Sequence, residues 1–520
     1  MKPHRSSWLA LCSFITLVGC GAGTPTSSAP PRSDEHRSDV PQTVPKLHFH
    51  PCGGDAPAGA ECATMPAPLS YDAPDGDTLD VAIMRIRSAP PSSARTQLWY
   101  LAGGPGGAGT SLIGLLHKRY AASWPNADLY TIDHRGTGGT SRLSCPKQEA
   151  PESPGGIGIR PEEGAGCVEA LQASQGPRLP HLNVSNSARD LERAMRAVET
   201  QGARVFIWGN SYGTYWAFRF LGLFPKAVDG AFLEALVPPN ASYRSFDYWM
   251  NETGMKLMER CAKEPGCAAH FKGSPVDVAR ALPARLEAGH CSALSLPVRV
   301  SWFLGSMLYD HDLRGLLPLL VRLVDRCNEH DVARLRRIYG ATFGNRGMLT
   351  AGDFSAPSYA HVVLSELWGG APPGGESLDA VASTCLFCPG DRAEMDQGRS
   401  KWPTYPVEAP PEVNYKGPLW LLQGNLDPAI PPALPAALES KLRGPSQHYI
   451  AFPFGAHTLT GKTRAEPGDC ALGLLTRFLA DPTQAPETAC VAKSPAPPLP
   501  DGPPGLAAAL LGPGDAWSGE

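Results

Sequence analysis

The stretch "RVFIWGNSYGTYWAFRFLGLFP", residues 204–225, runs from an apolar segment through a Gly-x-Ser-x-Gly turn into an aromatic-rich segment that stops at Pro225. A serine between glycines is either a nucleophile or a small residue tolerated in a turn, and the flanks decide which. "RVFIW" (204–208) reads as a buried strand, and "YWAFRFLGLFP" (215–225) as a helix ended by proline. In that context Gly209 and Gly213 allow a turn sharp enough to lift the Ser211 hydroxyl above a sheet. Ser211 is therefore the candidate nucleophile.

A hydroxyl is a poor nucleophile at neutral pH and needs a base, which in turn needs an acid to orient it. On a strand-turn-helix scaffold of this kind the chain order is Ser, acid, His. "PLWLLQGNLDPAIPP" (418–432) sets Asp427 just past a buried strand, and "HYIAFPFGAHTLTG" (448–461) sets His457 just past the next. Both fall at the carboxyl ends of strands, the edge where open α/β sheets bind ligands. Glu234, at the end of "GAFLE" (230–234), is the reserve acid. An oxyanion also needs donors. "WYLAGGPGGAG" (99–109) places a glycine-rich loop after a strand, so the N–H of Gly103 or Gly104 is one candidate donor and that of Tyr212 the other. The loop lacks the Gly-Lys-Ser/Thr ending and the acidic ribose partner of phosphate-binding loops.

Short apolar runs at 78–86, 97–101, 128–132, 204–208, 230–236, 418–422 and 448–452 alternate with helical patterns. One such helix is "NSARDLERAMRAVE" (186–199), with Leu191, Ala194, Met195 and Val198 on one face and Ser187 as its expected N-cap. The alternation predicts an α/β fold with a mostly parallel sheet and helices on both faces. Between Val237 and Pro411 the pattern turns wholly helical, which predicts an inserted cap, with Trp302, Phe303, Tyr359 and Trp368 as candidates to line a pocket.

The chain has 520 residues and a net charge of −4, enough to bury a large core and no electrostatic reason to expect nucleic acid. "MKPHRSSWLALCSFITLVGC" (1–20) pairs Lys2 and Arg5 with an apolar run too short to span a bilayer, as an export signal does. "LVGC" resembles a bacterial lipobox that would leave lipidated Cys20 as the mature N-terminus; an ordinary signal cut near Gly21 to Gly23 is the alternative. Of fourteen cysteines, twelve follow Cys20, and close pairs such as Cys52 with Cys62, Cys261 with Cys267 and Cys385 with Cys388 suit disulfides in an oxidising compartment. "CLFC" (385–388) has redox or zinc binding as its other readings. The expected organisation is a leader 1–20, a Pro/Ser-rich tether 21–46, a sheet core 47–236, a cap 237–411, the rest of the core 412–490, and a Pro/Gly/Ala-rich tail 491–520 with little packed structure.

Five motifs in order, "GGPGGAG" (103–109), "DHRGTGGTS" (133–141), "GNSYG" (209–213), "GNLDPAIP" (424–431) and "GAHTL" (455–459), resemble those of the proline iminopeptidase and tripeptidyl aminopeptidase branch of the α/β-hydrolases. The resemblance implies an α/β-hydrolase fold with a helical cap, and a secreted serine exopeptidase acting on peptides without metal or organic cofactor. It also implies a bridge between Cys145 and Cys167 and structural roles for Asp133 and Arg135. Ala102 and His134 depart from the pattern, which has His and Gln there. Glu234, Asp247 and Glu252 are the candidates to bind a substrate's amino group. A carboxylesterase of the same fold, and a non-catalytic surface binding lipoprotein, are the rival readings.

Overall fold

The computed structural model describes residue 44 and residues 46–519, apart from 55, 89–95, 151, 155–157, 199, 201, 345–351, 409–414 and 466–467. The expected leader, its Cys20 and most of the tether lie outside the described residues.

Nine strands form one sheet: β1 (His50–Pro51), β2 (Ala60–Pro68), β3 (Thr78–Ile86), β4 (Thr96–Leu101), β5 (Ala127–Ile132), β6 (Arg204–Asn210), β7 (Gly230–Glu234), β8 (Leu419–Gly424) and β9 (Gln447–Phe452). Their spatial order is β1-β2-β3-β5-β4-β6-β7-β8-β9. The first three strands join antiparallel, and every pair from β5 to β9 is parallel. This is the α/β-hydrolase fold. Strands β4, β5, β7 and β8 are buried at every residue, because a parallel sheet is covered by helices on both faces. Alternate residues feed two cores: Trp99, Ile207, Leu233 and Leu421 on one face, Tyr100, Trp208, Phe232 and Trp420 on the other.

The order reverses at β4, which pairs with β5 on one side and β6 on the other. Chain leaving β4 and β6 therefore emerges side by side at the same sheet edge, the place where such sheets hold ligands. Between β7 and β8 the described chain is helical, with its own core built from residues such as Met250, Phe303, Leu320 and Phe387.

The structure differs from the expectations at three places. The helix expected to be capped by Ser187 spans Val184–Ala197, capped by Asn183, whose side chain accepts from Asn186 N. Ser187 instead sits in its first turn and accepts from Arg135 N at 3.2 Å. A strand not read from the sequence, β2, pairs along its whole length with β3. Beyond Cys490 the chain is packed, Val491 in a core of the sheet and residues from Leu499 onward against the cap. Leu511 and Ala516 enter the cap core, Arg326 Nη2 donates to Ala516 O (2.9 Å), and Trp517 stacks on His270 with centroids 4.0 Å apart. Apolar residues in "GLAAALLG" give the tail a face to bury, which its Pro/Gly-rich composition hides.

All twelve cysteines after Cys20 are paired: 52 with 62, 145 with 167, 261 with 267, 291 with 327, 385 with 388, and 470 with 490. Among the described residues no helix is long and apolar enough to cross a membrane.

Arg135 ties three parts of the core together. Its Nε and Nη2 donate to Asp190 at 2.6 and 2.8 Å, and Nη1 and Nη2 donate to the carbonyls of Leu69 (2.6 Å) and Pro68 (2.8 Å). Both partners are buried. Asp190→Ala leaves a buried guanidinium without its carboxylate and is expected to cost about 3–5 kcal/mol, read from the urea midpoint at unchanged slope. A shift of less than about 1 kcal/mol would remove this pair from the account of the core.

Candidate active site

Ser211 sits between β6 and the helix Tyr212–Leu223 at φ 54° and ψ −127°. This conformation is costly for a residue with a side chain, on the order of 1–3 kcal/mol, and persists only where the surroundings impose it. A Cβ on Gly213 would lie 2.1 Å from Leu101 O, and one on Gly209 2.8 Å from the Leu233 side chain. Glycine at both positions lets the elbow press onto the neighbouring strands. Ser211 N donates to Glu234 O (3.0 Å), and Thr214 Oγ1 donates to Ser211 O (2.7 Å), so the turn is held on both sides.

Asp427 and His457, on the turns after β8 and β9, meet Ser211 here. The Ser211 hydroxyl lies 2.8 Å from His457 Nε2, and His457 Nδ1 lies 2.9 and 3.0 Å from the Asp427 carboxylate oxygens. The carboxylate can only accept, so Nδ1 carries the proton and Nε2 is free to accept from the serine. Asp427 is inaccessible and also takes Ala429 N (2.8 Å), Ile430 N (3.1 Å) and Gln423 Nε2 (3.1 Å). These donors fix the carboxylate plane, and through it the imidazole. The cap adds two contacts. Thr253 Oγ1 donates to Asp427 O (3.2 Å), and the Tyr309 ring stands edge-on to His457 with centroids 5.5 Å apart.

The glycine loop reaches the same point. A Cβ on Gly103 would lie 3.1 Å from Ser211 Cβ and 3.6 Å from its Oγ, so the backbone of the loop borders the hydroxyl. Cap residues 353–355 run antiparallel to this loop: Ser355 N donates to Gly106 O and Ala108 N to Asp353 O, both at 2.9 Å. Arg142 Nη2 and Ser355 Oγ pin the segment further, donating to Phe354 O (3.0 Å) and Leu143 O (2.7 Å).

Tyr212 and His134 form a pair that the sequence did not announce. His134 Nδ1 lies 2.7 Å from Arg135 O, which can only accept, so Nε2 is bare and accepts from the Tyr212 hydroxyl at 3.0 Å. Burial pulls His134 down to about 4, which keeps that acceptor neutral at ordinary pH. Asp133 accepts from Thr110 N (3.0 Å), Thr110 Oγ1 (2.8 Å) and Gly139 N (2.9 Å), fastening its own loop.

The three candidates for an amino-group site separate. Glu234 does not face the serine. Its carboxylate accepts from Trp208 Nε1 (3.1 Å) and from the N–H groups of Leu459 and Thr460 (2.7 Å each), so it holds the His457 loop, while the carboxylate that meets His457 Nδ1 is that of Asp427. Its position at a strand end suited either task; the backbone of the next loop took it. Glu252 is half-exposed on the helix Phe246–Lys263 and paired with Lys256 at 2.8 Å, one turn along. Asp247, in the first turn of that helix, is buried. Its Oδ2 accepts from Arg392 N (3.3 Å) and its Oδ1 has no partner. Burial pushes this carboxyl up to about 6, with the Arg392 guanidinium pulling it down and Asp391 pushing it up. Tyr359 stands near it, its hydroxyl accepting from Arg392 Nη1 (3.0 Å) and raised above the usual phenol range mainly by burial.

No protein-family model matches the chain. It is 29% identical to a tripeptidyl aminopeptidase of Streptomyces lividans over 215 residues, 37% of this chain and 39% of that protein. It is 26% identical to the serine protease Hip1 of Mycobacterium tuberculosis over 283 residues, 50% of this chain and 52% of Hip1. The chain thus spans about half the length, or less, of these relatives. Among solved structures, a proline iminopeptidase of Mycobacterium smegmatis matches with a TM-score of 0.36 at 13% identity, over 81% of this chain and 98% of that one. An esterase of Exiguobacterium antarcticum matches with a TM-score of 0.36 at 12% identity, over 78% of this chain and 97% of that one.

Glu234→Ala removes the acceptor of three buried N–H groups. We expect a stability loss of about 3 kcal/mol or more, measured by urea unfolding. Unchanged stability with abolished turnover would return Glu234 to the role of acid.

Proposed function

We propose that the chain is an exported serine exopeptidase that releases N-terminal residues or short peptides through an acyl-enzyme. The single observation that carries this reading is the continuous hydrogen-bonded series from Ser211 through His457 to Asp427, with the serine raised on its strained turn. Ser211 Oγ attacks the scissile carbonyl carbon while His457 Nε2 takes its proton, and Asp427 stabilises the imidazolium. The N–H of Tyr212 and that of Gly103 or Gly104 receive the oxyanion. His457 then gives its proton to the leaving amine, and a water deprotonated by His457 cleaves the acyl-serine ester. Side chains and backbone supply every step, so the reading calls for no metal or organic cofactor.

Preference for a free N-terminus rests on Asp247. Asp247, Asp391 and Arg392 together carry two carboxylates and one guanidinium, an excess of one negative charge when ionised, and Asp247 Oδ1 lacks a donor. A substrate ammonium supplies both a donor and the balancing charge. The similarity to a tripeptidyl aminopeptidase supports peptides as the substrate class. Six disulfides support folding in an oxidising compartment, and Cys20 is the proposed site of a lipid anchor. If so, Cys20→Ser will move the protein from the membrane to the soluble fraction with loss of the lipid mass; unchanged fractionation and mass would refute the anchor.

Aminoacyl, dipeptidyl and tripeptidyl p-nitroanilides with free and acetylated N-termini test the activity. The free-to-blocked ratio of kcat/KM is expected to rise as pH passes about 6, where Asp247 ionises, and to fall near about 8, where a substrate α-amino group loses its proton. Asp247→Asn should flatten the profile. Preference for blocked ends, or for simple esters, would leave a carboxylesterase of the same machinery. Ser211→Ala should abolish both turnover and labelling by a fluorophosphonate; a wild type that resists the probe would instead favour a binding protein.

A further inference from the structure

The segment "CLFC" carries a disulfide that acyl transfer does not use. Cys385 and Cys388 are bonded and buried, and the turn they close lies along one face of the helix Phe246–Lys263. It is fastened there repeatedly. Asn251 Oδ1 accepts from Leu386 N (3.1 Å) and Phe387 N (3.3 Å). One helical turn earlier, the Asp247 carbonyl oxygen lies 3.8 Å from Cys385 Sγ. Phe387 occupies space left by two glycines: a Cβ on Gly254 would fall 2.3 Å from its ring, and one on Gly305 2.8 Å from its backbone carbonyl carbon. Arg299 Nη1 then donates to Gly390 O (2.6 Å).

The chain leaving this turn leads straight back to Asp247. Arg392 N donates to Asp247 Oδ2 (3.3 Å), Arg392 Nε to Asp391 Oδ1 (2.7 Å), and Arg392 Nη1 to the Tyr359 hydroxyl (3.0 Å). The guanidinium carbon lies 5.3 Å from the centroid of Phe246 and 5.9 Å from that of Trp368. So few residues separate Cys388 from Arg392 that a shift of the braced turn passes directly to the guanidinium, and with it to the charge balance around Asp247. None of these contacts involves Ser211, His457, Asp427 or the glycine loop.

We propose that the Cys385–Cys388 disulfide is a specificity brace. It holds Asp391 and Arg392 at a fixed separation from Asp247 and so sets the preference for substrates with a free N-terminus, leaving acyl transfer untouched. The inference rests on the reading of Asp247 as the amino-group acceptor and deepens it. Cys385, Cys388 and Asn251 act through Arg392 and Asp247 and are positioning residues.

The test compares wild type, Asp247→Asn, the double variant Cys385→Ser/Cys388→Ser, and Asn251→Ala, all in the full-length protein. Substrates are a free-N-terminus tripeptide p-nitroanilide, its N-acetylated form, and p-nitrophenyl acetate. In the double variant the free-to-acetylated ratio of kcat/KM should fall about tenfold or more, through KM, while kcat for the ester stays within about twofold. Asn251→Ala should move the ratio the same way by a smaller factor, and it decides the matter if the double variant is not recovered folded. Fluorophosphonate labelling at the wild-type rate certifies the serine site in each variant. If Asp247→Asn loses the ratio and the brace variants keep it, the brace is overturned. Equal losses on peptide and ester also overturn it, because the disulfide would then support the whole fold. If Asp247→Asn keeps the wild-type ratio, the amino-group reading itself falls.

Discussion

Everything at this site depends on holding one serine in a backbone conformation it would not adopt alone. At φ 54° and ψ −127° Ser211 stores strain, and the surrounding sheet must keep it there. Parallel pairing of β6 with β4 and β7 supplies the frame, and glycines at 209 and 213 remove the side chains that would push the elbow off those strands. The bond from Ser211 N to Glu234 O links the elbow to β7, while the Glu234 carboxylate grips the loop that carries His457. One residue at a strand end thus couples the position of Ser211 to that of His457.

The cap takes part in this frame as well as covering it. Residues 353–355 clamp the glycine loop, Thr253 holds the backbone of Asp427, and Tyr309 stands against His457. A buried ion pair joins the cap to the elbow helix: Glu366 accepts from Arg219 Nη2 and from the Tyr215 hydroxyl, each at 3.0 Å. Ser211, Asp427 and His457 lie on loops of the sheet, while Asp247, whose Oδ1 accepts no hydrogen bond, sits on a cap helix.

The parts of this arrangement that were legible in the sequence are those with local causes. Buried parallel strands appear as unbroken apolar runs, so the strands carrying Ser211, Asp427 and His457 could be read, and with them the loops at their ends. Strand β2, "AECATMPAP", was not legible, because its small residues and two prolines give little apolar periodicity. Glu234 was ambiguous, since a carboxylate at a strand end can turn toward the ligand or toward the next loop, and only the fold chooses. Arg392, Tyr309, Asn251 and residues 353–355 left no signal, because the long cap brings them to the site through contacts distant in sequence. The tail misled by composition: proline and glycine concealed a short apolar helix with a cap surface to cover.

Turnover through an acyl-enzyme requires that Ser211 become covalently acylated. Acid quenching in the first turnovers of a p-nitrophenyl ester, followed by mass spectrometry of the intact chain and peptide mapping, reads this directly. A single acyl group is expected, located on Ser211 within the tryptic peptide 205–219 and lost on further incubation. An active preparation that carries no adduct, or carries it on another residue, would contradict it.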